Sequence, residues 1–182
     1  MQLRTEIQLS TMIRAMKDVV IPAVDAKNEL AMQQAQMIVG LLNLMAHQLP
    51  VQFRFDRDEL QRLVASVQGL SALNSQDPAI SAAAQQLQAC RSAAADVLER
   101  CATDPVELTV AIRDMREATS VLMTTTSGGG DKAALALVES TILSLSKEQL
   151  LRDRSLMLPQ GWEPDPKAVP AIEELLKQAS AS

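Results

Sequence analysis

Nearly half of this chain is apolar and almost none of it is aromatic, and that combination constrains the fold more than any motif the chain carries. Hydrophobic residues make up 47% of the sequence and aromatic residues 2%, with two Phe, one Trp and no Tyr. The core must therefore be assembled from Leu, Ile, Val, Met and Ala, a set rich in good helix formers. Six Gly in 182 residues, with hardly any alternation of apolar and polar residues, exclude sandwiches, barrels and Rossmann sheets, all of which need frequent turns. A chain of this length buries roughly 70% of its unfolded surface and needs no disulfide or metal to do so. The expected class is all-α: an antiparallel bundle of five to six long helices in residues 1–158, with residues 159–182 forming a Pro-rich strap and a short last helix packed on it.

Prolines and capping residues divide the chain. Leu9, Ile13, Met16 and Val20, spaced 4, 3 and 4 apart, predict a helix from about Leu3 to Ile21 that stops before Pro22. A second helix, about Lys27 to Leu49, carries two adjacent apolar rows, Leu30-Met37-Leu41-Leu44 and Ala31-Ala35-Ile38-Leu42-Met45-Leu49. Together they are wide enough to touch more than one neighbour, so this helix reads as central. Val51-Gln52-Phe53-Arg54-Phe55 is the one clean alternation. It reads as an extended connector that pins two rings over the end of the bundle, or as a strand pairing across a dimer axis. Asp56 and Glu59, in capping-box spacing, then open a helix that ends near Asn74.

Asp77-Pro78 and Asp104-Pro105 each place an N-cap before a proline at the first helical position. The first of these helices carries the seam Ile80, Ala83, Leu87, Cys90, Ala94, Val97 and Cys101; the second carries Leu108, Ile112, Met115 and Leu122, with Thr119 as its weak member. Gly128-Gly129-Gly130 marks a flexible loop before a helix that starts at Asp131, buries Leu135, Val138, Ile142 and Leu145, and turns charged from Lys147 to Arg154. Pro159, Pro164, Pro166 and Pro170 make the following strap extended, and a last helix from about Val169 to Ala179 docks through Ile172, Leu175 and Leu176.

Charge and composition narrow the function. Seventeen Lys and Arg against 22 Asp and Glu give a net charge of −5, and no basic run or aromatic platform offers itself to a phosphate backbone, so nucleic acid is not an expected partner. Charges in Met1–Glu6 sit where a signal peptide has its apolar stretch, and the longest apolar runs fall far short of the roughly 20 residues that span a bilayer. No membrane association and a cytoplasmic location are expected. Cys90 and Cys101 suit a reducing compartment; eleven residues apart on one helix, they are separated by about 16 Å of rise and cannot bridge. They read as small buried hydrophobes.

The single histidine, His47, excludes paired-His metal centres, and no cofactor fingerprint is present. The glycine run is not a phosphate-binding loop, because Asp131 and Ala133 surround Lys132 and Asp131 itself stands where the anion would. The candidate site lies on one face of the Lys27–Leu49 helix, where Glu29, Gln33, Gln36, Gly40, Asn43 and His47 recur at helical spacing. Uncharged amides around a glycine suit a homo-oligomer contact or the polar lining of a ligand groove; the plainer reading is a weakly charged face in water. Arg54, with Arg57 and Arg62, could hold an anion, although a solvated salt-bridge cluster with Asp56, Asp58 and Glu59 is the default reading. Trp162 is either a partner anchor or the staple of the strap.

These readings favour a non-enzymatic helical protein that acts through protein–protein interaction or self-association, as a homodimer or an accessory or regulatory subunit, through the Lys27–Leu49 or the Asp77–Cys101 helix. The alternative is a binding protein for an apolar small molecule, such as an acyl chain, held between helices. No nucleophile–base pair or metal set supports an enzyme.

Overall fold

The computed structural model describes residues 4–73, 75–100 and 103–178, so Leu3, Asn74, Cys101 and Ala179 lie outside the described residues. The fold is all-α, with no strand among the described residues. Its helices are α1 (Thr5–Ala15), α2 (Ile21–Ala23), α3 (Glu29–Gln48), α4 (Gln52–Ser66), α5 (Pro78–Glu99), α6 (Pro105–Gly128), α7 (Lys132–Met157) and α8 (Ile172–Gln178). None of them is long and apolar enough to cross a membrane. The chain groups into two compact units: Met1–Gln52 with Arg154–Ala171, and Phe53–Asp153 with Ile172–Ser182.

The capping residues act as their chemistry dictates. The Asp77 carboxylate accepts from the Ala79 N–H at 2.9 Å and the Asp104 carboxylate from the Val106 N–H at 2.8 Å, each with proline at the next position. Asn28 caps α3 through the Ala31 N–H. Asp131 accepts from the Ala134 N–H at 3.0 Å and from the Ser75 hydroxyl at 2.7 Å. Each carboxylate or amide satisfies a backbone donor that the helix leaves unpaired.

In the unit of Phe53–Asp153 and Ile172–Ser182, α4 to α7 enclose one apolar cluster that includes Leu60, Leu70, Ile80, Leu108, Met115, Leu122 and Val138. Burying each such side chain stabilises the fold by roughly 1.5–3 kcal/mol. α5 and α6 are closely packed and antiparallel: Arg100 at the end of α5 pairs with Glu107 at the start of α6, and Gly129 after α6 lies against Ile80 at the start of α5. Thr119 does belong to the α6 core stripe, since its buried hydroxyl donates to the Met115 carbonyl at 2.7 Å. The unit of Met1–Gln52 and Arg154–Ala171 buries much less: Leu9, Ala35, Val39, Leu44, Val51, Leu156 and Val169.

Four local expectations are corrected. The first helix does not stop before Pro22. Met16–Val20 widens into a π turn, with the Ile21 N–H bonded to the Met16 carbonyl, and α2 carries the helix on to Ala23. A proline lacks the N–H and crowds the carbonyl four residues back, and the wider turn accommodates both. Residues 52–55 are helical, not an extended connector or a strand: Phe53 and Phe55 lie in the first turns of α4, with Phe55 buried and Phe53 exposed. The buried positions Phe55, Asp58, Glu59, Arg62 and Leu63 recur at helical spacing, so a run of five alternating residues yielded to the longer period.

The connector begins one glycine later than expected, because α6 runs to Gly128 and α7 begins at Lys132, leaving Gly129, Gly130 and Asp131 between them. Gly129 sits where an added Cβ would come 2.9 Å from the Ile80 side chain and 3.1 Å from the Asp77 carboxylate, so glycine there permits a close crossing. The strap after α7 is wound into turns rather than extended. Short 3-10 turns at Leu158–Gln160 and Pro166–Ala168 flank Gly161, which takes the left-handed conformation at φ 70°. Arg154 donates two hydrogen bonds to Glu163, at 2.9 and 2.7 Å, and the Ser155 hydroxyl donates to the Pro170 carbonyl at 2.7 Å.

Candidate functional site

Of the residues singled out in the sequence, the structure brings Gln36, Gly40 and Trp162 together. With Gln33, Met37, Leu41 and Gln160 they line a shallow groove of about 360 Å³ between α3 and the turn after α7. The Gln160 amide donates to the Gly40 carbonyl at 3.1 Å, which fixes that turn on the helix. Gly40 itself is not forced by crowding, since an added Cβ would lie 3.7 Å from Gln160, an ordinary contact. Trp162 is 72% exposed and so stands at the groove as an open ring. Asn43 spends its amide on the Val39 carbonyl of its own helix at 2.8 Å. His47 is exposed in the last turn of α3, and Arg54 is exposed near the start of α4; neither lines the groove.

The larger feature of α3 is on its apolar side, and here the expectation of a central helix is corrected. Only Ala35, Val39 and Leu44 are buried, while Leu30, Met37, Ile38, Leu41, Met45 and Leu49 are exposed, Leu30 to 67%. Those six fall on one stripe of the helix. Between Glu29 and Gln48 the helix carries no Lys, Arg, Asp or second Glu. α1 and the π turn add exposed Ile7, Met12, Val19 and Val20. The two apolar rows were visible in the sequence; that they lack cover depends on how few elements surround them.

A second groove, of about 340 Å³, lies where α4, α6 and α7 meet. Leu63, Met123, Ile142 and Leu145 supply apolar walls, and Glu59, Arg116, Thr119, Ser120, Thr124, Ser146 and Gln149 the remainder. Behind it the acidic residues of α4 do something other than capping or forming a solvated cluster. Asp58, only 3% exposed, accepts from Arg62 Nε at 2.8 Å and from Arg152 Nε at 2.6 Å, and Arg62 Nη2 donates to Gln149 Oε1 at 2.6 Å. Arg62 Nη1 is fully buried and meets no acceptor among the described residues.

Glu59, also buried, pairs with Arg116, whose side chain is largely in water. Burial pushes the Glu59 carboxyl above the usual glutamate range, and Arg116 and Arg62 oppose that shift only in part. Glu163 is moved the other way, held low by the Arg154 hydrogen bonds. Sequence reasoning missed this centre because Asp58 and Arg152 are 94 residues apart.

Cys90 is a half-buried free thiol in a hollow of α5 and α6 beside Ala94, Val97 and Ala111. Among the described residues, no group of three or more His, Cys, Asp and Glu side chains comes together to hold a metal ion. Comparison of the chain with protein-family models, curated proteins and solved structures found no match.

Proposed function

We propose that this protein acts by association with protein, and first of all with a second copy of itself, through the exposed stripe of α3. The observation that carries this reading is the exposure of Leu30, Met37, Ile38, Leu41, Met45 and Leu49 on a helix of 20 residues that has no charged side chain between its first residue and its end. Contiguous apolar surface of this kind marks an interaction site when it exceeds a few hundred Å². A second copy is favoured as occupant by self-complementarity. A two-fold contact places the same stripe on both sides, and a stripe without charge has nothing to repel its own image. Trp162, beside Met37 and Leu41, supplies the large amphipathic ring that association surfaces favour. The α5 seam, the other candidate, is engaged with α6 inside the unit. A reducing compartment, with the cytoplasm as the assignment, accords with the free Cys90 thiol.

Sedimentation equilibrium across the micromolar range tests the reading. The native protein should sediment as a dimer, and a Met37→Glu, Leu41→Glu variant with unchanged circular dichroism should sediment as a monomer. A native protein that stays monomeric throughout refutes self-association by this face.

A further inference from the structure

The groove of α4, α6 and α7 is independent of the α3 stripe and has a chemistry of its own. It is a ligand-sized concavity with apolar walls and few convergent polar groups. Most of those polar groups are already committed. The hydroxyls of Thr119 and Thr124 donate to the Met115 and Ser120 carbonyls of their own helix, at 2.7 and 3.0 Å. Gln149 accepts from Arg62 and donates to Asp153. Beside the neutral hydroxyls of Ser120 and Ser146, the Glu59–Arg116 pair is the charged group that remains to orient a ligand, and it is asymmetric: Glu59 has 7% of its side chain exposed and Arg116 57%.

That asymmetry selects the sign of the ligand. An anion in the groove would sit beside the Glu59 carboxylate, and drawing Arg116 away to hold it would leave that buried carboxylate without its ion pair, which is the costly way to break such a contact. A cation would replace Arg116 on Glu59 and release it to water that already surrounds most of its side chain, at little cost. Arg62, the other cation near Glu59, has its Nε on Asp58, which it shares with Arg152. Its orphan Nη1 is fully buried and Arg62 is not part of the groove wall, so it offers an anion no landing point. Asp153 adds negative potential at Glu59. We propose that this groove binds a small amphiphilic amine, with the ammonium on the Glu59 carboxylate and the apolar tail against Leu63, Met123, Ile142 and Leu145.

Titration calorimetry with octylamine, octanoate and octanol tests this on the full chain. Octylamine should bind, with octanoate and octanol weaker by about tenfold or more, the scale of a hydrogen-bonded charge. Glu59→Gln should lower octylamine affinity by about the same factor. Arg116→Ala should raise it by removing the competitor, a direction that a purely structural role would not produce. Ser146→Trp, at an exposed position on the groove wall, should block binding without touching the buried carboxylate, and so decides the matter should Glu59→Gln fail to fold. The proposal is overturned by no heat with octylamine, by octanoate binding as tightly, by weaker binding in Arg116→Ala, or by native affinity in a folded Glu59→Gln or in Ser146→Trp.

Discussion

In the unit of Phe53–Asp153 and Ile172–Ser182, the stripes of α5 and α6 are sealed: Ile80, Leu87, Leu108, Met115 and Leu122 have almost no exposure, and four charged residues, Asp58, Glu59, Arg62 and Arg152, are buried beside them. In the unit of Met1–Gln52 and Arg154–Ala171, α3 is more apolar than either of those helices and, with Leu49 at its C-cap, leaves six large side chains in water. Sequence hydrophobicity therefore ranks these helices in the reverse of their burial. Whether a stripe becomes core depends on how many elements the unit can bring to it. α5 is closely packed with α6 and with the 3-10 turn after α4, while α3 has α1, the π turn and a short strap. It is this surplus of apolar surface on an uncharged helix that the proposed self-association rests on.

The contrast can be broken or sharpened by measurement. The largest effect is expected from Asp58→Ala, which strands two buried arginines and should cost about 3–5 kcal/mol in urea unfolding; a loss below about 1 kcal/mol would place those arginines in water. Next, Leu108→Ala opens a hole in a fully buried position and should cost about 2–5 kcal/mol. Leu30→Ala, on the exposed stripe, should change the stability of the monomer by no more than about 0.5 kcal/mol while weakening self-association. Equal effects at the two sites would erase the distinction between the units.

A change smaller than the losses at Asp58 and Leu108, and of opposite sign, is expected from Gly40→Ala: the site accepts a Cβ, and alanine in a helix interior is favoured over glycine by about 0.5–1 kcal/mol. The smallest effect is a slope. Because burial raises the Glu59 pKa above its unfolded value, the native state holds that proton more tightly than the unfolded chain does. Stability from this group is then full below the ordinary glutamate value and declines as pH rises through the raised one. Relative to wild type, Glu59→Gln should gain stability between pH 4 and pH 7 in paired unfolding curves; a falling difference would mean that the Arg116 pair outweighs burial.

Much of the fold was legible in the sequence. Asp77-Pro78, Asp104-Pro105 and Asp131 marked helix starts because capping is local, and the structure shows the hydrogen bonds it requires. The Ile80, Ala83, Leu87, Ala94 and Val97 positions of the α5 seam are buried as their spacing required, whereas Cys90 on the same seam is half-buried and not the buried hydrophobe expected. The misreadings arose where a distant partner decides. Residues 52–55 look like a strand because the buried face of α4 is partly charged, and its apolar period emerges only once Asp58, Glu59 and Arg62 are counted as interior. Nothing near Asp58 in the chain announces Arg152. The grouping of Gln36, Gly40 and Trp162 likewise depends on the strap folding back through Gln160 and Gly161. The exposure of α3 is a matter of missing neighbours, and periodicity records only which side chains share a face.

The shared carboxylate of Asp58 has a consequence beyond its free energy. Helices that meet through Leu, Val and Ala can slide along one another by a turn, about 5.4 Å, and still find apolar contacts. Asp58 cannot follow such a slip, because it is held at once by Arg62 on its own helix and by Arg152 on α7, at 2.8 and 2.6 Å. A displacement of α7 by one turn in either direction would part Arg152 from Asp58 and leave that guanidinium facing hydrocarbon, and would part Arg62 from Gln149 while Arg62 kept the carboxylate of its own helix. The cluster thus serves as a ruler for α7 against α4, selecting one register from several that the apolar residues alone would tolerate.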